Sequence, residues 1–168
     1  MVISATTVKE LRGRSGAGVI ECKHALEQAE GDMEQALEIL RQQGLAKAEK
    51  RAGRVASQGL VEAYLHTGGR IGALVEVNCE TDFVARTEDF KALAHDIAMQ
   101  VAATSPLYLS EDEIPEGEQL DPNEVCLLQQ PFIKDPSKSV RDLVNETAGK
   151  TGENVKVSRF ARFELGGA

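Results

Sequence analysis

Apolar residues recur at helical spacing over the first 52 positions and then switch to alternation. Val8 and Leu11 mark the inner face of a first helix, which Ser4 or Thr7 can cap, Thr7 and Glu10 having capping-box spacing. Gly13, Gly16 and Gly18 make a turn. Val19, Cys22, Leu26 and Ala29 then form the stripe of a second helix that stops at Gly31. Asp32 caps a third, striped by Met33, Leu37 and Leu40 and predicted to end at Gly44. Residues 45–56 read as a basic helical connector carrying Lys47, Lys50, Arg51 and Arg54.

The next segment predicts a hairpin. Leu60 to His66 is a first strand, Thr67-Gly68-Gly69-Arg70 a turn, and Ile71, Ala73, Val75 and Val77 one face of a second strand. Glu88 to Ala103 carries the strongest helical pattern, with Phe90, Leu93, Ile97 and Val101 on one stripe and Pro106 beyond it. Residues 109–122 are acidic and rich in Pro and Gly, an exposed loop. A short helix from Asp121-Pro122 to Leu128 is halted by Pro131. Another opens at Ser137 or Ser139, carries Val140, Leu143 and Val144, and ends by Gly149 or Gly152. The last strand runs from Val155 to Leu165, with Val155, Val157, Ala161, Phe163 and Leu165 on one face. The fold class is therefore α+β. A three-helix bundle over 1–44 and the connector precede a core over 57–168. That core holds a three-stranded, at least partly antiparallel sheet with helices on one face. Such a sheet leaves its other face or an edge open, which favours an oligomer or a large partner.

Composition narrows the function. The 168 residues suit one domain or two small ones, and 42% hydrophobic content supports a packed core. The net charge of -8 argues against a nucleic acid as the main partner. The charge is uneven: residues 105–138 hold two basic and eight acidic side chains, marking a solvated connector. No run reaches membrane-spanning length, and no charged region followed by an apolar stretch opens the sequence. Cys22, Cys79 and Cys126 are far apart and lack metal-ligand spacing, so structural thiols in a reduced, cytoplasmic setting are expected.

No catalytic constellation emerges. The Gly13-Gly16-Gly18 run lacks a following Gly-Lys-Ser/Thr and is no phosphate loop. His24, His66 and His95 are isolated in sequence, and no Ser sits in a nucleophile elbow. Glu80 and Asp82 alone make a weak cation site. Neither a cofactor nor a resident metal is expected, and weight moves from enzyme to binding protein. The junction Val77 to Arg86 then stands out. It runs from an apolar strand into a helix start and presents Asp82 beside Phe83, in a chain with only 4% aromatics. Phe83 has two readings: it folds back to staple the helix to the sheet, or it points outward for a partner.

Five stretches, in order, resemble the bacterial elongation factor Ts family across nearly the whole chain. They are Val8 to Leu26, Gly72 to Arg86, His95 to Ala103, Leu127 to Asp135, and Gly152 to Phe163. The resemblance implies that the N-terminal bundle is of the ubiquitin-associated type. It implies guanine-nucleotide exchange on elongation factor Tu, with GDP release promoted by disturbing that partner's magnesium and nucleotide site. By motif, this role falls on Thr81, Asp82, Phe83 and Val84, with Phe83 entering an apolar pocket of the partner. Leu11, Val19, Ile20 and Lys23 match the region expected to bind the partner's G domain, and packing competes for Leu11 and Val19. Longer family members have two related subdomains where this chain has room for one. Short members are expected to act as homodimers. The competing class is a protein-binding adaptor without exchange activity. Metal-dependent hydrolysis through Glu80 and Asp82 is a more distant third.

Overall fold

Ser4 caps the first helix: its hydroxyl accepts the Thr7 N–H at 3.1 Å. In the computed structural model, which describes residues 3–167, this helix is α1 (Ala5–Ser15). The outer limits of the expected domains, at 1 and 168, lie outside the described residues. Gly13 lies inside α1, and Gly16 ends it in the left-handed conformation, φ 68°. Helix α2 spans Val19–Gln28, with Gly18 at its N-cap and the Glu21 carboxylate accepting the Gly18 N–H. Asp32 caps α3 through the Gln35 N–H at 2.7 Å. Leu11, Cys22, Ala25, Leu26 and Ala36 close a small core among the three helices.

Helix α3 runs Met33–Arg51 and passes through Gly44 without a break. The sequence pattern predicts a stop at Gly44, but a lone helical Gly costs only about 1 kcal/mol against Ala. The Ala- and Lys-rich residues beyond continue the helix to Arg51, so the bundle and the first part of the connector share one rod, while residues 52–57, expected to be helical up to 56, are turn and loop. The second half of α3 packs along α7 (Val140–Thr151), where the Arg51 guanidinium donates to the Ala148 carbonyl at 3.1 Å.

The core sheet is antiparallel throughout, in the order β1 (Gln58–Leu65), β2 (Ile71–Cys79), β5 (Lys156–Glu164). Gly59 pairs with Asn78 at φ 146°, and a Cβ there would stand 2.0 Å from the Val77 carbonyl oxygen. Only Gly fits that approach. Ala73, Val75, Val77 and Cys79 face inward, against Phe90, Leu93, Ile97 and Val101 of α5 (Glu88–Thr104). Helix α7 completes the covered side.

Two features depart from the sequence reading. A bulge opposite Glu76 and Val77 pairs Val77 with Val157 but Glu76 with Arg159, leaving Ser158 extra. Past it the alternation flips: Val157 and Phe160 face inward, whereas Ala161 and Phe163 face out. The expected common face of β5 is thus split in two. Second, the short helix α6 is only Pro122–Val125, and a small ribbon, β3 (Pro131–Phe132) with β4 (Asp135–Ser139), follows it. The ribbon is pinned by a buried amide. Gln100 on α5 donates to the Pro131 carbonyl at 3.1 Å and accepts the Ile133 N–H at 2.9 Å. Gln130 takes the Thr104 hydroxyl at 2.7 Å and donates to the Glu124 carbonyl at 2.7 Å. Satisfied buried amides of this kind fix a loop in one place.

Candidate functional site

Helix α4 (Asp82–Ala85) is a single turn set directly after β2. Four residues cannot hold a helix by propensity, because nucleation is unfavourable. Tertiary contacts hold it. Thr81 caps it, its hydroxyl oxygen accepting the Val84 N–H at 3.4 Å. Ala85 is buried in the core and Val84 packs against it. Arg86 reaches back to Asp82 at 2.8 Å. The Cys79 thiol donates to the Thr81 carbonyl at 3.1 Å, and burial pushes that thiol above its ordinary range. Cys22, Cys79 and Cys126 are all free and buried.

Phe83 is 81% exposed. It does not staple the helix to the sheet; Val84 and Ala85 do that packing. Four residues implied by the family motif therefore divide. Thr81 and Asp82 shape the turn, Val84 anchors it, and Phe83 projects. Exposing a Phe so completely is costly in the free protein, since burying such a side chain is worth about 1.5–3 kcal/mol.

The bundle sites also divide. Ile20 is 72% exposed and Val19 53%, side by side at the start of α2. Lys23 lies exposed one turn on, 3.8 Å from Glu27. Leu11 is fully buried in the bundle core, so in the free chain it packs and offers no contact surface. A cleft of about 640 Å³ separates the bundle from α7 and β4. Its charges pair across short distances, Arg14 with Glu34 at 2.7 Å and Lys138 with Glu146 at 2.7 Å.

Sequence reasoning missed the residues that hold the turn from below. Glu153 and Asn154, just past α7, reach Glu80 and Thr81 through space. They lie in a stretch that resembles the family, but nothing in their spacing names a partner 72 residues away. Among the described residues, no helix is long and apolar enough to cross a membrane, and no cluster of three potential metal-ligating side chains occurs.

Fold and site together define a protein with separate exposed apolar points: Phe83 on a braced turn, Val19 and Ile20 on the bundle. Comparison with known proteins gives that class a family. The profile of the family "Elongation factor TS" matches residues 22–121 and 118–167. The chain is 51% identical to elongation factor Ts of Carboxydothermus hydrogenoformans, over 98% of this chain and 90% of the relative. It is 49% identical to that of a Thermoanaerobacter species, over 98% and 96%. Heliobacterium modesticaldum has another, 50% identical over 98% and 91%. The chain belongs to the elongation factor Ts family and has that family's role in translation elongation. The alignment with the first relative spans 195 positions, more than the 168 residues of this chain, so the relatives carry residues without a counterpart here. The two profile matches overlap at 118–121, inside the acidic loop.

Proposed function

We propose that this chain is a guanine-nucleotide exchange factor for elongation factor Tu, acting by binding and not by chemistry on a substrate. It engages the GDP-bound partner, and Phe83 enters an apolar pocket beside the nucleotide and magnesium site. The exposure of Phe83 on a turn held rigidly from behind carries this reading. An exchange factor must bind best the partner state that holds nucleotide poorly, and nucleotide must weaken factor binding by the same ratio. One buried Phe supplies about 1.5–3 kcal/mol, or roughly 10- to 150-fold. That is too little for the whole effect, so Val19, Ile20 and Lys23 on the bundle serve as the anchor while Phe83 acts as the wedge.

A second copy of the chain is a further partner. The outer face of the sheet exposes Val61, Leu65, Leu74 and Phe163 across three adjacent strands. A patch this continuous on a soluble translation factor calls for cover. A two-fold axis through the face lays each strand set on its own copy, apolar on apolar. Neither nucleic acid nor membrane enters the scheme, and a cytoplasmic setting follows from the partner.

Release of a fluorescent GDP analogue from elongation factor Tu tests the reading against the adaptor alternative. Acceleration by substoichiometric amounts of this chain is expected. Binding without acceleration would identify an adaptor.

A further inference from the structure

The loop after α7 grips the base of the Phe83 turn. Gly152 ends the helix in the left-handed conformation, φ 74°, and turns the chain toward β5. One oxygen of the Glu153 carboxylate accepts the N–H groups of both Glu80 and Thr81, each at 3.0 Å. The other accepts the Thr81 hydroxyl at 2.6 Å. The exchange is reciprocal, because the Glu80 carboxylate accepts the Asn154 N–H at 2.6 Å. Arg54 flanks Glu80 at 3.5 Å. The Asn154 amide, buried, donates to the carbonyls of Ala52 at 3.3 Å and Arg54 at 2.9 Å. Two residues thus tie together the exit of α3, the exit of β2 and the entry to β5.

The consequence falls on Phe83. At 81% exposure the ring has little packing to set its own direction, so that direction is inherited from the α4 backbone. Ala85 fixes one end of α4 in the core. The other end is Thr81, whose own cap bond is long at 3.4 Å. Glu153 holds that end with three hydrogen bonds, charge-assisted and from one carboxylate.

We propose that Glu153 is the positioning residue for Phe83: its carboxylate locks the Glu80-Thr81 backbone and so aims the ring at its pocket in the partner. The proposal rests on the reading of Phe83 as the wedge. Glu153 itself lies behind the turn and need not touch the partner. Its loss therefore misaims the wedge while leaving the anchoring residues of the bundle in place. A misplacement of about 1 Å can cost on the order of a hundred-fold in rate.

The test combines Glu153→Ala, Phe83→Ala and the double variant of the full chain. Maximal GDP release at saturating factor and the half-saturating concentration are measured separately, with folding checked by circular dichroism and thermal unfolding. Glu153→Ala is expected to lower the maximal rate about tenfold or more and to leave half-saturation nearly unchanged. It is expected to add nothing once Phe83 is already Ala, and Glu153→Gln, which keeps one acceptor oxygen, is expected to recover part of the rate. Amide exchange of Thr81 to Ala85 in the free protein is expected to speed up in Glu153→Ala. A wild-type rate in Glu153→Ala overturns the proposal, and so does an equal further loss in the Phe83→Ala background, the mark of a general structural role. If Glu153→Ala does not fold, Glu153→Gln carries the same comparison and is read the same way. A wild-type rate in Phe83→Ala instead removes the wedge reading. An impaired Phe83→Ala beside an unimpaired Glu153→Ala removes only the brace.

Discussion

Phe83 and the outer face of the β1–β2–β5 sheet are both apolar and exposed, but one is a point and the other a plane. The point stands on a single helical turn among polar neighbours, Thr81, Asp82 and Arg86. Its placement depends on a carboxylate and an amide from a distant loop. The plane is held by its own hydrogen-bonded ladder, with Val61 opposite Glu76, Leu74 opposite Ala161, and Gly72 opposite Phe163. A point suits insertion into a pocket and contributes little total energy. A plane suits association over a broad area, with each side chain adding its share. Under the proposed function, this division gives anchoring, pairing and disturbance separate surfaces on one small chain.

The plane is the easier of the two to break. Leu74→Glu with Phe163→Glu places like charges on facing copies of a two-fold interface, where they repel. Sedimentation is expected to drop from about twice 18.2 kDa to 18.2 kDa, with the fold retained because both side chains already face solvent. Unchanged sedimentation would move pairing to another surface. Striking the ladder beneath the plane costs stability instead. Gly59→Ala puts a Cβ against the Val77 carbonyl and is expected to lose about 1–3 kcal/mol in urea unfolding. An unshifted midpoint would contradict the tight β1–β2 register.

Ile20 is a second apolar point, and it sharpens the distinction between anchor and wedge. Ile20→Asp is expected to raise the half-saturating concentration for exchange about tenfold, equivalent to 1.4 kcal/mol, and to leave the maximal rate intact. A change in maximal rate alone would make Ile20 part of the disturbance. The smallest effect concerns the brace of this anchor. The Lys47 ammonium, followed by the Gly18 N–H, holds the Glu21 carboxyl below its ordinary range. A lowered folded pKa stabilises above the ordinary carboxylate range and is lost as pH falls through the lowered value. Glu21→Gln is therefore expected to destabilise the chain at neutral pH by only about 0.2–1 kcal/mol, because the pair is exposed and screened. Variant and wild type should converge in acid; a gap that widens there would reverse the assignment.

Much of the fold was legible because its periodicity is local. The stripe of Phe90, Leu93, Ile97 and Val101 and the alternation of Ala73, Val75 and Val77 read directly as the two sides of the main core. Gly44 misled because breaking is a tendency, and the flanking helix formers outweighed it. The face of Phe163 was hidden by one extra residue at Ser158, since a bulge inverts every position beyond it. The β3–β4 ribbon depends on Gln100, some thirty residues away, and its own Pro131 and Pro136 look like breakers. At the site, Phe83 was conspicuous from composition, but its direction was not. That direction is set by Glu153, which local pattern cannot connect to Thr81.

The central claim is that Phe83 releases nucleotide from a complex held elsewhere. Stopped-flow release of a fluorescent GDP analogue from elongation factor Tu, at saturating Phe83→Ala, tests it most directly. The account predicts a maximal rate roughly 10- to 150-fold below wild type, with half-saturation little changed and the circular dichroism spectrum intact. A folded variant that releases GDP as fast as wild type would contradict it.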